Sequence, residues 1–154
     1  MNILYEEIPL LARHAGVWEG TYTHLRPDWS VLDRHAFRIR VELPPEGEIV
    51  YRQHTHYWWP DGATQDLVFG ARYADKRIWW HTDRIRGALW ALDELTLYLT
   101  FTFGSDPGSY VCEMIQLSPD GEHRARTWHW FESHQLAKLT LVDERRIERT
   151  PPPR

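Results

Sequence analysis

Tyrosine and histidine side chains recur at alternate positions near the start of the chain. Trp18, Gly20, Tyr22 and His24 are each two residues apart, and alternate residues of a β-strand point to the same side. A phenol and an imidazole on one face can move a proton to or from a bound molecule. We therefore predict that Tyr22 and His24 are acid–base residues of a pocket. A polar strand end is the alternative interpretation.

A third proton-transfer candidate lies beside an indole further along the chain. Trp79 and His81 share one face of the run 77–82. A neutral histidine against an apolar wall can act as a general base near neutral pH. We therefore add His81 to the candidate catalytic residues, with a hydrogen-bonded structural histidine as the alternative.

Two closely spaced histidines raise the question of a metal site. His54 and His56 share a face, and such a pair could bind one metal ion together with His81, His129 or His24. The same run carries no Glu at the spacing of metal-binding cupin barrels. We therefore predict no metal and no other cofactor, and keep haem or metal binding through histidine as a second alternative.

The opposite face of that run suits a binding pocket equally well. Gln53, Thr55 and Tyr57 alternate there and offer an amide, a hydroxyl and a phenol. The sequence leaves open which of the two faces lines a cavity. We assign these three residues to the predicted binding site.

Arginine alternates with tryptophan in the run 122–131. Arg124, Arg126, Trp128 and Trp130 share one face, and guanidinium groups beside aromatic rings suit a carboxylate or phenolate on an aromatic ligand. In the alternative, this face is external and the arginine stems cover the indoles. We favour the pocket, because two exposed indoles would leave much apolar area in water.

Composition narrows the class of partner. Nine tryptophans in 154 residues exceed what a small core absorbs, because each indole N–H also needs a partner. Some are therefore expected to line a cavity. The net charge of −4 argues against a nucleic-acid partner, because binding to nucleic acid requires a basic face on the protein. The sequence does not determine whether the protein forms a homodimer.

These side chains lie in short β-rich runs separated by turn residues. The ten runs are 16–25, 35–43, 49–59, 64–73, 77–82, 86–92, 95–103, 109–117, 122–131 and 136–142. Consecutive strands with short connections form a meander, and closing it removes the exposed edges. We predict one all-β domain over residues 1–154: a single antiparallel up-and-down β-barrel of about ten strands. A short N-terminal helix within 3–14 precedes a core over about 11–149, and a frayed tail covers 150–154.

We expect neither a signal peptide nor a membrane span in this sequence. The first twelve residues have no basic region of a signal peptide, and no apolar run approaches the roughly 20 residues of a membrane span. We therefore expect a cytoplasmic protein without a membrane span.

The first strand carries a family resemblance. Gly16-Val17-Trp18 resembles the Gly-x-Trp signature of lipocalins. The resemblance implies that Trp18 plugs the closed end of a barrel and that an arginine from the last strand packs across it. The candidates are Arg145, Arg146 and Arg149.

A longer resemblance covers most of residues 11–149. The segments 16–23, 51–53, 59–62 and 124–128 are similar to uncharacterised calycin-type domains of bacteria, cyanobacteria and plants. This likeness implies a barrel with a ligand cavity and no particular reaction. A fainter likeness joins the chain to nitrobindins, which are haem-binding barrels, but Tyr22 stands where they have a second glycine.

The favoured function is binding of a small hydrophobic or aromatic molecule, either neutral or anionic, in the barrel. The first alternative is a cofactor-independent lyase, isomerase or cyclase in which Tyr22, His24 or His81 moves a proton and Arg126 steadies an anion. The predicted ligand-contacting residues are Trp18, Tyr22, His24, Gln53, Thr55, Tyr57, Trp79, His81, Arg124, Arg126 and Trp128.

Overall fold

The structure, a computed structural model, describes residues 1–153, which form ten strands and two short helices. The elements are α1 (Leu4–Glu7), α2 (Pro9–Ala12), β1 (Gly16–Leu25), β2 (Val31–Glu42), β3 (Tyr51–Trp58), β4 (Thr64–Ala74), β5 (Arg77–His81), β6 (Ile85–Ala91), β7 (Thr96–Phe103), β8 (Asp106–Leu117), β9 (His123–Glu132) and β10 (Gln135–Arg149). Each strand pairs antiparallel with the next, and β10 pairs with β1 to close the barrel. The predicted all-β, up-and-down architecture is confirmed.

Alternating side chains divide the barrel into an apolar interior and a polar exterior. In β2, Phe37, Ile39 and Val41 are buried while Arg38 and Arg40 between them are exposed. This alternation keeps β2 in register, because a slip of one residue would turn the arginines inward. The leucine and phenylalanine face of β7 also points inward. The sequence alone does not determine which face of β7 is internal, because the opposite face is uncharged as well.

The N-terminal segment forms two helical turns instead of one helix. Pro9 begins α2, and Ile8 before it has φ −138° and ψ 68°, because a residue that precedes proline is pushed out of the helical region. Leu4 and Leu11 are fully buried and belong to the same apolar core as Trp18. The two turns therefore cover one end of the barrel.

The last strand continues well beyond its predicted end at residue 142. It runs to Arg149 and pairs with both β9 and β1. This extension places Arg146 directly opposite Trp18, with the guanidinium carbon 4.2 Å from the centre of the indole ring. Of the three candidates on the last strand, Arg146 is therefore the one that packs on Trp18, and Arg124 of β9 lies over the same ring at 4.5 Å.

The chain after β10 has no regular structure. Residues 150–153 are exposed and belong to no helix or strand, and Arg154 of the predicted tail lies outside the described residues. Within the described part of the chain, neither helix has the length and apolar character needed to cross a bilayer.

Candidate functional site

The barrel encloses a cavity of about 510 Å³, which lies within the range of about 300–1,000 Å³ typical of small-molecule sites. Its walls are mainly aromatic. The aromatic lining residues are Tyr22, Tyr51, Tyr57, Trp59, Phe69, Trp80, Phe101, Phe103, Trp128 and Trp130. Much of the tryptophan excess therefore faces this interior.

Seven of the predicted ligand-contacting residues line the cavity. They are Tyr22, His24, Gln53, Tyr57, Arg124, Arg126 and Trp128. Trp18 and Thr55 lie behind the lining and are fully buried. Thr55 supports the wall, because its hydroxyl accepts a hydrogen bond from the Gln53 amide at 3.1 Å.

The prediction that Trp79 and His81 face the cavity is wrong. Trp79 is 42% exposed on the outer surface, whereas its neighbour Trp80 is 5% exposed and lines the interior. The turn between β4 and β5 sets this orientation. Asp75 and Lys76 have φ of 53° and 57°, as in a two-residue type I′ hairpin, and the resulting register turns alternate residues from Ile78 inward.

The histidine pair on β3 also faces outward. His54 and His56 contact the same carboxylate oxygen of Asp66, at 2.9 and 3.0 Å. His129 is exposed on the outer face of β9. These histidines therefore do not converge on the cavity, and the metal arrangement considered from their spacing does not form.

Four charged side chains form the floor of the cavity. Arg124 pairs with Glu144, while Arg126 lies 3.1 Å from Glu144 and 3.3 Å from Glu113. All four are buried. Buried charges persist only when they are paired and hydrogen-bonded, because desolvation is costly. The network thus holds both arginines in fixed positions.

Two neutral groups complete this network. Arg126 donates a hydrogen bond to the Tyr22 hydroxyl at 2.7 Å, and Arg124 lies 3.1 Å from Nδ1 of His14. Since a guanidinium only donates, Nδ1 of His14 accepts and the ring proton lies on Nε2. Burial, and next the Arg124 charge, hold the pKa of His14 well below its usual value. Burial raises the pKa of Tyr22, so both groups are neutral near pH 7.

The protonation of Glu113 sets the charge of the floor. Burial raises the pKa of this carboxyl to about 7, although Arg126 and Arg124 oppose the shift. The floor therefore carries one more positive charge when Glu113 is protonated, and it is closer to neutral when Glu113 is ionised.

Several buried nitrogen atoms of cavity-lining residues have no partner among residues 1–153. They are Nε of Arg126, Nε1 of Trp80, Nε1 of Trp128 and Nε2 of His14. Each carries a hydrogen, because the first three can only donate and the His14 proton lies on Nε2. A buried donor without an acceptor costs about 1–3 kcal/mol. These nitrogens lie behind the surface of the cavity, because they are fully buried.

A second group of titratable side chains lies beside the cavity, and we call it the mouth cluster: His24, Asp33 and His35. Their ligating atoms all lie within 4.8 Å of one another. Nδ1 of His35 is 2.7 Å from the Asp33 carboxylate, and Nδ1 of His24 is 2.7 Å from the Thr140 hydroxyl. By composition the cluster could hold a metal ion or relay a proton.

Three solved structures of other proteins have a fold similar to that of this chain. A protein of unknown function from the DUF3598 family of Nostoc punctiforme PCC 73102 has a TM-score of 0.67 and 15% identity over 89% of this chain. Rv2717c from M. tuberculosis has a TM-score of 0.65 and 11% identity, covering 92% of this chain and 97% of that one. The S-type phycobiliprotein lyase CPES from Guillardia theta has a TM-score of 0.63 and 11% identity, covering 100% and 95%.

No curated protein matches the sequence. This chain spans about half (48%) of the length of the Nostoc protein. The model of the DUF3598 domain of unknown function, N-terminal, matches residues 7–149. The match covers nearly all of the barrel. The chain therefore belongs to the DUF3598 family.

Proposed function

We propose that this protein binds one small, largely aromatic molecule inside the barrel, with an acceptor-bearing or anionic end at the floor. The observation that carries the proposal is the cavity of about 510 Å³, which has mainly aromatic walls and the guanidinium groups of Arg124 and Arg126 in its lining. A carboxylate or other acceptor group on the ligand would pair with these guanidinium groups by charge-assisted hydrogen bonds.

The charges around the cavity support an anionic ligand. Four cationic side chains are among its lining residues: Arg124 and Arg126 at the floor, and Arg84 and Lys138 elsewhere. Glu113 is the acidic residue among the described lining residues, and burial favours its neutral form. The aromatic walls would hold the body of the molecule by apolar burial and ring stacking.

A second candidate function is cofactor-independent catalysis in the same cavity. The specific observation that favours it is the 2.7 Å contact between Asp33 and His35 beside the cavity, since a carboxylate commonly orients a histidine that acts as a base. One protein of similar fold is described as a lyase, which is a precedent for catalysis on this fold.

Binding is tested with anilinonaphthalenesulfonate, an aromatic anion whose fluorescence rises on transfer from water to an apolar site. We expect one molecule per barrel. Leu99 lines the cavity whereas Leu141 is exposed on the outside of β10. Leu99→Trp should therefore abolish binding, and Leu141→Trp should leave it unchanged. Equal binding by wild type and Leu99→Trp would overturn the proposal.

A further inference from the structure

The hydrogen bonds of the mouth cluster determine which nitrogen of His24 carries the proton. The indole Nε1 of Trp130 lies 2.7 Å from the Thr140 hydroxyl oxygen and can only donate to it. Nδ1 of His24 is also 2.7 Å from that oxygen. Among residues 1–153 the buried hydroxyl has no other acceptor, so its hydrogen is donated to Nδ1. The proton of neutral His24 is therefore on Nε2.

In His35 the proton is on the other ring nitrogen, Nδ1. The same Asp33 oxygen accepts a hydrogen bond from Trp59 at 3.2 Å and lies 2.7 Å from Nδ1 of His35. Burial favours protonated Asp33, but the hydrogen bonds from His35 and Trp59 prevail and lower the pKa of this carboxyl. Since an ionised carboxylate only accepts, Nδ1 of His35 donates, and Nε2 is the nitrogen with the lone pair in the neutral ring.

The position of His35 is fixed by its neighbours. Its ring stacks on Tyr22 with a 5.3 Å centroid separation and planes within 5° of each other, and lies 4.3 Å from the Trp59 ring. The residue lines the cavity. Nε2 of His35 has no hydrogen-bond partner in the described range, so it is available to a bound molecule.

We propose that His35 and His24 are a proton-transfer pair for a carbonyl compound held in the cavity, with His35 as the base and His24 as the hydrogen-bond donor. Their ring centres are 5.4 Å apart, which lets one small group contact both. The inference rests on the proposed binding function. It names the substrate class as an aromatic carbonyl compound, such as an aromatic 2-oxo acid, with a C–H next to the carbonyl.

The reaction balances without a cofactor. Nε2 of His35 takes the proton from the carbon next to the carbonyl, and the C–H electron pair forms a C=C bond. The carbonyl π pair moves to oxygen, which accepts a hydrogen bond from Nε2–H of His24. Return of the proton from His35 to carbon regenerates the ketone, and its delivery to oxygen gives the enol. Asp33 is a positioning residue, because it acts only through His35.

The experiment follows the exchange of phenylpyruvate methylene hydrogens for deuterium by proton NMR in D₂O, using the full chain. We expect exchange faster than in buffer. Loss of a general base typically slows a reaction by about 100-fold or more, so His35→Asn should bring the rate close to that of buffer. His54→Asn is the matched control, because His54 also contacts an aspartate but lies on the outer surface, and its rate should equal wild type.

Further variants separate positioning from folding. Asp33→Asn should lower kcat with little change in KM, and Asp33→Glu should restore part of the rate, which a merely structural residue would not do. Binding of anilinonaphthalenesulfonate reports independently on the folded cavity. Exchange no faster than in buffer, while that binding persists, overturns the proton-transfer pair and leaves the binding proposal intact. Exchange that EDTA stops and zinc restores also overturns it, because the histidines would then be metal ligands.

Discussion

The Arg146 guanidinium carbon lies 4.2 Å from the centre of the Trp18 indole ring. This contact joins the end of β10 to the start of β1, where the barrel closes. Arg146 also donates hydrogen bonds to the backbone oxygens of Arg13, Ala15 and Gly121, at 2.6, 2.8 and 2.8 Å. One side chain therefore fixes the segment after α2, the β8–β9 loop and the closing pair of strands.

Arg146→Ala should lower the free energy of unfolding by about 2–4 kcal/mol, because it removes a cation–π contact and leaves backbone acceptors unsatisfied. Arg145→Ala is the matched control on the same strand. Arg145 is exposed, so its removal should change stability by less than about 0.5 kcal/mol. Urea unfolding followed by tryptophan fluorescence measures both. Equal stabilities of the two variants would contradict the structural role of Arg146.

The barrel and much of its lining could be predicted because they follow from local alternation. The period of two places Arg124, Arg126 and Trp128 of β9 on one face, and Trp18, Tyr22 and His24 of β1 on another. The apolar area of the indoles then favours the inward side.

The orientation of β5 could not be predicted from alternation. Trp79 and Trp80 are adjacent, so an indole faces the interior whichever set of alternate residues points inward. Its orientation depends on the Asp75–Lys76 turn, whose left-handed backbone is not evident from the sequence, because a lysine such as Lys76 rarely adopts that conformation.

Alternation along the strands could have identified three site residues that the sequence analysis missed: Asp33, His35 and Glu113. Asp33 and His35 continue the same face as Phe37 toward the start of β2, so extending the pattern upstream would have placed them inward. Glu113 alternates with buried Val111 and Ile115. The partners of these residues could not be predicted, because pairs such as Arg126 with Tyr22 lie 104 residues apart and depend on how the sheet closes.

The β4–β5 turn offers a way to stabilise the barrel. Lys76 has φ 57°, a conformation that costs a residue with a Cβ about 1 kcal/mol relative to glycine. Lys76→Gly should therefore raise the free energy of unfolding by about 0.5–1 kcal/mol. Lys76→Ala keeps the Cβ and should give no gain. Chemical denaturation distinguishes the two, and equal effects would argue against a left-handed backbone at this turn.

The indole ring of Trp128, which lines the cavity, should contribute to ligand affinity. Trp128→Phe keeps an aromatic ring but shortens the wall, so binding of anilinonaphthalenesulfonate should weaken about 5- to 10-fold, as expected for the loss of roughly 1–1.5 kcal/mol of ring contact. Trp90→Phe is the control, because Trp90 packs against Arg77 and Tyr98 outside the cavity. Fluorescence titration measures both variants. A larger loss for Trp90→Phe would place the ligand on the outer surface.

Glu113 should make the stability of the barrel depend on pH. Its pKa is raised by burial from an ordinary value of 4.5 to about 7 in the folded chain. Between these values the folded state keeps a proton that the unfolded state has released. The stabilisation from the neutral carboxyl is therefore fully present below about pH 4.5 and is lost as pH rises through 7, by up to about 3 kcal/mol.

Glu113→Gln replaces this carboxyl with a group that stays neutral, so the difference between wild type and variant isolates the contribution of Glu113. Wild type should lose stability relative to Glu113→Gln between pH 5 and pH 8, measured by urea unfolding at each pH. Glu42→Gln, on the exposed face of β2, should follow the wild-type curve. If the wild type instead gains on Glu113→Gln as pH rises, then Arg126 holds Glu113 ionised, and the floor carries no excess positive charge to attract an anion.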